Sequence, residues 1–552
     1  MANKKNSNNG FIVQGTILAA AAIIVRIIGL IYRIPLQNII GDEGMGYYSY
    51  AYEPYSVMLM LSYHGIPAAV SKLVAANKSM GRYKNVYRIF GIALVITTGI
   101  GCVTGSIMLF GAGYISSEII GVPMCRFAMM ILGPTLLVLS VMGIVRGFFQ
   151  GSGTVIPTAV SQVIEQIVNA VVSIVAALYL FQYGALYDSV IGTQSYAEGY
   201  GAAGGTLGTF LGALSALIFL LLVFHAYKKN LKRLVRKDRS GVNDTRGEIA
   251  KLLAFTAAPL IINSILFNCN TTLESIVFNK LMLQKEGNTL KSISALWGVF
   301  TGKYKVLVTV PIAVATALAV SIIPDFASEM AAGNKGRLAG KVHRAIRFGM
   351  LVAIPSAVGL SVLAEPIMSM LFSPYGSVDI NLLRYGTVAV VLYSISTITN
   401  AALQGMSRER FTVTSAAVAL VMHIIVLALC VGVFNMGIYG VLAAYIGFAL
   451  FVCIINGVAI ARVLSYRQEF LKTFILPAAA SGVMGFAVLG IYKGLLALTS
   501  SNKIACVLSI MLGAAVYAAA LVLLKGLDES DIKSLPKGAY IAGALKKIRL
   551  LR

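Results

Sequence analysis

Residues 11–34 of the chain read FIVQGTILAAAAIIVRIIGLIYRI, and their length and composition indicate the class of protein. A helix needs about 20 apolar residues to cross the hydrocarbon core of a bilayer. The segment is long enough, and its only charged side chains are Arg26 and Arg33. It is too long for the apolar region of a secretion signal. We therefore interpret it as an uncleaved first membrane span.

Apolar runs of similar length recur along the rest of the chain. The sequence is 58% hydrophobic and 12% charged, whereas soluble domains carry about 25% charged residues. We predict an all-α, polytopic membrane protein of about fourteen transmembrane helices. The predicted spans are 11–34, 47–71, 89–113, 125–146, 155–181, 201–226, 252–278, 304–323, 345–371, 382–404, 411–434, 438–464, 473–497 and 503–525.

The distribution of basic residues indicates the orientation of the chain. If the N-terminus is cytoplasmic, 34 of the 45 Lys and Arg residues fall in cytoplasmic segments, as the positive-inside rule requires. One of the 34 is Arg146, which we assign to the short segment after the fourth span. We predict a multi-pass membrane protein with cytoplasmic N- and C-termini. This distribution also explains the net charge of +24 without a nucleic-acid partner.

The basic segment 227–250 divides the chain. We predict an N-terminal lobe of six helices (1–226), this basic cytoplasmic linker (227–250), a C-terminal lobe of six helices (251–464), two further helices (465–525) and a basic cytoplasmic tail (526–552). The two lobes look weakly repeated. Gln150-Gly151 follows the fourth span as Gln404-Gly405 follows the tenth, and glycines recur at the start of the sixth and twelfth spans: Gly201, Gly204, Gly208, Gly437, Gly440 and Gly447.

Charged side chains inside a membrane are costly, so each one is a candidate functional residue. Arg26 lies near the middle of the first span, and Arg33 lies about two turns later on the same helical face. Arginine stays charged and donates bidentate hydrogen bonds to phosphate oxygens. We predict that Arg26 and Arg33 bind a phosphate or pyrophosphate. The alternative for Arg26 is an ion pair with a buried acid such as Glu53, and the alternative for Arg33 is contact with the outer lipid headgroups.

Further candidates lie in the second, fifth, seventh and eighth spans. Glu53, Glu165 and Glu274 are each an ion-pair partner, a proton carrier or a Na⁺ ligand, and Asn270 lies close to Glu274 in sequence. A structural hydrogen-bond network is the alternative for the seventh span. Lys303 either lines the mouth of a cavity opposite Arg26 or lies in the external interface. We group Glu53 and Lys303 with the two arginines as predicted substrate-binding residues. The predicted ion-coupling residues are Glu165, Glu274 and Asn270. We predict no catalytic residues, no metal site and no cofactor other than Na⁺ or H⁺ as a coupling ion.

Three short motifs resemble one superfamily of transporters. They are Arg26-Ile-Ile-Gly-Leu-Ile-Tyr-Arg33, Gly65-Ile-Pro-Ala-Ala-Val-Ser-Lys72 and Leu363-Ala-Glu-Pro-Ile367. They resemble the multidrug/oligosaccharidyl-lipid/polysaccharide (MOP) exporter superfamily. Within it, the chain is similar to the Gram-positive polysaccharide biosynthesis proteins, the stage V sporulation protein B group and the MurJ-type lipid II flippases.

The resemblance implies two six-helix lobes around a cationic cavity, and a groove for a lipid tail formed by the last two helices. It also implies that Arg26 and Arg33 contact the substrate, although the family spaces its two arginines by six residues and this chain spaces them by seven. If the family pattern is aligned at Trp297, the resemblance also implies that a further cation of the cavity lies near Lys303.

The function that we expect from the resemblance is that of a flippase in the bacterial cell membrane. Its substrate would be an undecaprenyl-pyrophosphate-linked cell-wall precursor, either lipid II or a polysaccharide repeat unit, moved by alternating access. The expected partners are this anionic lipid-linked oligosaccharide, membrane lipid and cell-wall synthesis enzymes. The alternatives are an H⁺- or Na⁺-coupled multidrug antiporter and a non-transporting scaffold for cell-wall or sporulation enzymes.

Overall fold

The computed structural model describes residues 2–192, 195–240, 244–464 and 468–526. In these ranges the chain forms helices joined by short turns, and they contain no strand. The prediction of an all-α protein is confirmed. Residues 527–552, nearly all of the predicted basic tail, lie outside the described ranges.

The chain divides into two compact units, Met1–Gly302 and Lys303–Arg552. The predicted lobe boundaries at the basic linker stay a prediction. The main helices of the first unit are α1 (Ala2–Leu59), α2 (Gly65–Ser79), α3 (Tyr83–Phe110), α4 (Arg126–Gly151), α5 (Ile156–Ile191), α6 (Tyr196–Lys237), α7 (Arg246–Leu283) and α8 (Leu290–Gly298). Those of the second are α9 (Lys305–Ala331), α10 (Lys335–Val362), α11 (Ala364–Leu371), α12 (Ser377–Gly386), α13 (Val388–Gly405), α14 (Glu409–Leu427), α15 (Ile438–Leu464), α16 (Leu476–Thr499) and α17 (Asn502–Leu523).

Twelve described helical segments are long and apolar enough to cross a membrane. The first, Ala20–Ser79, is 60 residues long and covers the first two predicted spans. The predicted span 252–278 lies within α7, which is not among the twelve. Each of the fourteen predicted spans therefore overlaps a helix, which confirms the polytopic fold.

Gly41 divides α1 between the first two predicted spans. Its backbone has φ 71° and ψ −178°, a conformation open to glycine because it has no Cβ. The predicted spans 11–34 and 47–71 leave residues 35–46 between them as a loop, but both flanks of Gly41 are helical, and Pro35 lies inside the helix. The helix axis therefore changes direction at the single residue Gly41, without a loop of twelve residues.

A π-helical turn, Met60–His64, joins α1 to α2. Pro67 has no N–H to donate to the carbonyl of Tyr63, four residues earlier. Single π turns inside helices are frequent at functional sites. This turn carries Tyr63 on the side of the first unit where α4 packs.

Glycines at every fourth position bring α4 against α2. We call Gly143, Gly147 and Gly151 the α4 rail. A Cβ at Gly147 would lie 2.5 Å from the carbonyl oxygen of Pro67, and one at Gly151 would lie 2.5 Å from that of Ser71. These distances leave no room for a side chain. The α4 rail therefore fixes the approach of the two helices, as small residues do between membrane helices.

A second series of glycines brings α6 against α5. We call Gly204, Gly208 and Gly212 the α6 rail. A Cβ at Gly204 would lie 2.5 Å from the carbonyl oxygen of Ala176, and one at Gly212 would lie 2.6 Å from that of Glu165. The α6 rail thus determines where the backbone of Glu165 lies.

The second unit repeats one of these close contacts. A Cβ at Gly405 would lie 2.9 Å from the carbonyl oxygen of Ile323 in α9, much as Gly151 approaches α2 in the first unit. By contrast, a Cβ at Gly447 in α15 would meet no atom within 4 Å. In the same helix, a Cβ at Gly440 would lie 3.1 Å from the backbone carbonyl carbon of Cys430. The fourth and tenth spans thus share a close glycine contact, and the repeat of the sixth and twelfth spans stays a prediction.

Candidate functional site

A buried ion pair joins α4 to α5 in the first unit. Nη2 of Arg146 lies 2.8 Å from Oε2 of Glu165. The same guanidinium donates from Nε to Ser161 Oγ at 2.9 Å and from Nη1 to the Tyr63 hydroxyl at 2.9 Å. Arg146 is 4% exposed. Three separate acceptors thus compensate a buried cation that would otherwise be costly.

From the sequence, Arg146 was assigned to a short cytoplasmic segment after the fourth span; in the structure it is a buried residue of a helix and not part of a connecting segment. It lies inside α4, which continues to Gly151. The predicted span ended at Arg146 because a charged residue closed the apolar run. The signal that identifies it is the α4 rail, GIVRGFFQG over 143–151, since three glycines at a four-residue spacing indicate that a packed helix continues past the arginine.

Arg26 lines a cavity of about 260 Å³ that also contains the ion pair. The lining residues are Ala22, Val25, Arg26, Arg146, Gln162, Glu165 and Gln166. Gln166 reaches α1 one turn after Arg26, where a Cβ at Gly29 would lie 3.2 Å from its Nε2. Two guanidinium groups and one carboxylate give this lining a net positive charge. A water occupies ~30 Å³, so the cavity has room for a hydrated phosphate group.

A second cavity, of about 150 Å³, adjoins the first. Its lining residues are Tyr52, Tyr55, Leu59, Tyr63, Leu139, Glu165, Gln166, Asn169 and Thr209. Glu165 and Gln166 line both cavities. The wall is held by hydrogen bonds from Ser173 Oγ to Asn169 Oδ1 at 3.0 Å and to the Gly205 carbonyl at 2.8 Å. Glu165 therefore faces a cationic space on one side and a tyrosine-rich space on the other.

Arg33 is half-buried among tyrosines of α1. Its charge interacts with the hydroxyl groups of Tyr32, Tyr48 and Tyr52, and the rings of Tyr48 and Tyr52 stack at 5.2 Å. It does not line either of the two cavities described above. The structure thus places the two arginines of α1 in different surroundings.

Glu53 lies elsewhere in the first unit, between α1, α7 and α8. Its Oε1 accepts a hydrogen bond from Nε1 of Trp297 at 3.1 Å, and its carbonyl accepts one from Thr272 at 3.1 Å. Glu274 and Asn270 are also buried on α7, with exposures of 0% and 5%. Of the three predicted acids, Glu165 shares a cavity with Arg26.

The contact between α1 and α8 is a close one. A Cβ at Gly46 would overlap the backbone of Ser294, and one at Gly298 would overlap that of Asp42. Ser49 and Thr301 share a hydrogen bond of 2.7 Å between their hydroxyls. Glu53 therefore belongs to a tightly packed α1–α8 seam.

Lys303 belongs to the second unit and is 1% exposed. Its Nζ lies 3.4 Å from Oδ1 of Asp379 and donates to the carbonyl of Pro374 at 3.0 Å.

Among the described residues, no group of three His, Cys, Asp or Glu side chains is arranged to hold a metal ion.

Sequence comparisons connect the chain to known proteins. A family model described as "Polysaccharide biosynthesis protein" matches residues 12–330. The chain is 25% identical over 492 residues to the lipid II flippase MurJ of Bacillus subtilis (strain 168), covering 86% of this chain and 88% of that protein. It is 23% identical over 527 residues to stage V sporulation protein B of the same organism, covering 95% and 97%.

Solved structures share the fold. An inward-facing multidrug resistance MATE family transporter of the MOP superfamily matches with a TM-score of 0.65 and 15% identity, covering 80% of this chain and 94% of that one. The inward closed conformation of the lipid II flippase MurJ matches with a TM-score of 0.61 and 16% identity, covering 91% and 97%. The relatives and solved structures named above include flippases and transporters but no enzyme, in agreement with the prediction of a transporter. Because the family model covers more than half of the chain, the protein belongs to the polysaccharide biosynthesis protein family.

Proposed function

We propose that the protein is a flippase for an undecaprenyl-pyrophosphate-linked cell-wall precursor. The observation that carries this proposal is the cavity in which Arg26 and Arg146 face one carboxylate, Glu165. A permanent cation in a membrane helix is costly and needs an anionic partner. A diphosphate supplies that partner, because its oxygens accept the paired N–H groups of a guanidinium.

The surface of α1 beside Arg26 suits a lipid-linked substrate. Ile23, Ile27 and Ile31 follow one another at four-residue intervals and are 51%, 52% and 60% exposed. Apolar side chains exposed along a membrane helix face lipid tails. A prenyl chain can therefore stay in the bilayer while its diphosphate reaches Arg26, and alternating access then releases the headgroup on the opposite side.

The named relatives support the same substrate class. One relative is a lipid II flippase, and the description of the matching family model is "Polysaccharide biosynthesis protein". Lipid II and a polysaccharide repeat unit share the diphosphate and the prenyl tail, so both fit the cationic cavity. We propose further that Na⁺ or H⁺ drives the cycle through Glu53, Glu165 or Glu274, with Asn270 beside the last of these. Cell-wall synthesis enzymes are proposed partners.

A multidrug antiporter is the second candidate, and the shared fold with a MATE family transporter favours it. A cationic drug would be attracted to an acidic cavity. The cavity at Arg26 has two cations and one carboxylate, and its net positive charge therefore favours an anionic substrate.

Reconstitution in liposomes tests the proposed function. Fluorescent lipid II, a fluorescent undecaprenyl-diphosphate-linked repeat unit and a cationic dye are compared as substrates in protein-containing and empty vesicles. We expect faster translocation of at least one of the lipid-linked diphosphates and no movement of the dye. Transport of the dye alone would establish the antiporter instead.

A further inference from the structure

The ion pair between Arg146 and Glu165 has unequal partners. The Arg146 side chain is 5% exposed, whereas that of Glu165 is 26% exposed and lines both cavities. Arg146 is also held by Ser161 and Tyr63. The carboxylate is therefore the partner that is free to leave, and the guanidinium is the partner that stays in place.

The backbones on both sides of the pair are fixed by glycines. The α4 rail sets the position of the helix that carries Arg146, and Gly212 of the α6 rail packs against the carbonyl of Glu165. A separation of the two charges therefore needs only a rotation of the Glu165 side chain. The two cavities beside it give the carboxylate space to move into.

A carboxylate and a phosphate present similar groups to an arginine. Both accept N–H donors through anionic oxygens, in one or two parallel hydrogen bonds. Arg26 lines the same cavity and adds a second cation for an incoming anion. A diphosphate that enters beside Arg26 thus meets a guanidinium already occupied by a group that resembles it.

We propose that Glu165 is an internal competitor of the substrate: it pairs with Arg146 in the empty cavity, is displaced by the substrate diphosphate, and returns to expel it. This inference rests on the proposed function and adds a residue that sets substrate affinity and release. A transporter needs a site that is favourable enough to fill and weak enough to empty. An exchange of one anion for another also keeps the buried Arg146 paired throughout, which avoids the cost of an isolated buried charge.

Binding of farnesyl diphosphate to the purified full-length protein in detergent tests the competition. Farnesol, which has the same tail without the diphosphate, measures the contribution of the tail. In Glu165→Gln the competing charge is gone, so we expect the Kd for farnesyl diphosphate to fall by about ten-fold, the equivalent of one charged hydrogen bond. In liposomes the same variant should release its substrate more slowly, so that turnover falls while affinity rises.

Two further variants keep the result interpretable. Glu118→Gln removes the same charge from an exposed position in the segment Ile115–Ile120 and should leave both quantities at the wild-type values. Glu165→Asp keeps the charge but withdraws it from Arg146, so its Kd should lie between those of wild type and Glu165→Gln. This variant decides the question if Glu165→Gln fails to fold.

The outcomes separate this inference from the proposed function. Wild-type protein that binds farnesyl diphosphate, together with Glu165 variants that bind it equally or more weakly, would overturn the competitor role and leave the function standing. If neither wild type nor any variant discriminates farnesyl diphosphate from farnesol, the anionic-substrate function itself fails, and the competitor role fails with it.

Discussion

Glu53 and Trp297 are joined by a hydrogen bond of 3.1 Å between a buried carboxylate and a buried indole. The sequence left open whether Arg26 binds substrate or pairs with Glu53. Glu53 instead belongs to the α1–α8 seam, and Arg26 shares a cavity with Arg146 and Glu165. Glu165, and not Glu53, is therefore the acid that lines the cavity of Arg26.

Replacement of Arg26 should therefore impair transport without unfolding the protein. Loss of a hydrogen bond to a charged group costs about 1.5–3 kcal/mol, which corresponds to a ~10- to 100-fold weaker affinity for a prenyl diphosphate. Arg26→Lys keeps the charge but loses the bidentate donors, so it should fall between wild type and Arg26→Ala. Translocation of fluorescent lipid-linked diphosphate measures the effect.

The control for Arg26 is Arg233→Ala, which removes a charge from an exposed position near the end of α6. It should transport normally. A well-folded Arg26→Ala variant with normal binding and translocation would contradict the assignment of Arg26 as a substrate contact.

Substitution within the α4 rail should destabilise the first unit. In Gly147→Ala the new Cβ meets the carbonyl oxygen of Pro67 at 2.5 Å, and overpacking of this kind costs about 1–3 kcal/mol. The thermal unfolding midpoint should fall. Gly91→Ala is a matched control because no atom lies within 4 Å of its Cβ position. It should be neutral or stabilising, since alanine favours a helix over glycine by about 1 kcal/mol. Equal midpoints for the two variants would contradict the role of the rail.

Hydropathy was sufficient to predict the helices, because spanning length and apolar composition are local properties of a sequence. It failed at residues 35–46, where a single positive φ at Gly41 replaces the predicted loop. Arg26 was recognisable because apolar residues surround it. Arg146 was not, because its burial depends on contacts with the π-helical turn Met60–His64 and with α5 that are distant in sequence. The pairing of Lys303 with Asp379, 76 residues later, could not be predicted for the same reason.

The basic linker is attached to α3 by carboxylates, and this attachment should depend on pH. Asp238 accepts the backbone N–H of Lys84 at 2.7 Å and that of Ser240 at 2.9 Å. These hydrogen bonds lower the pKa of Asp238 from 3.8 to about 2. The folded pKa is depressed, so the attachment is fully present above pH 3.8 and is lost as the pH falls from there towards 2.

At neutral pH, Asp238→Asn should mimic this loss because the charge is absent. Trypsin should then cleave the Lys- and Arg-rich linker several-fold faster than in wild type, at pH 7.5 and with the same enzyme. Glu286→Gln removes a charge from an exposed turn and should leave the rate unchanged. An unchanged cleavage rate in Asp238→Asn would show that its carboxylate does not hold the linker.

The orientation predicted from the basic residues can be tested by labelling. In a chain whose six native cysteines are replaced, Ser240→Cys places a thiol in the linker and Ser117→Cys places one in the segment Ile115–Ile120 between α3 and α4; both positions are exposed. We expect an impermeant maleimide to label position 117 in intact cells and position 240 only after permeabilisation. The reverse pattern would overturn the cytoplasmic placement of the termini.

The α1–α8 seam also gives the protein a built-in optical reporter. Trp297 is the single tryptophan of the chain, and its ring is fully buried between Tyr50 and Phe278. Nearly all of the emission excited at the red edge of the protein absorbance therefore comes from this one position. A ligand or ion gradient that admits water to the seam should shift that emission to longer wavelength in unlabelled protein, so that movement at Glu53 can be followed in real time in the same liposomes that measure transport.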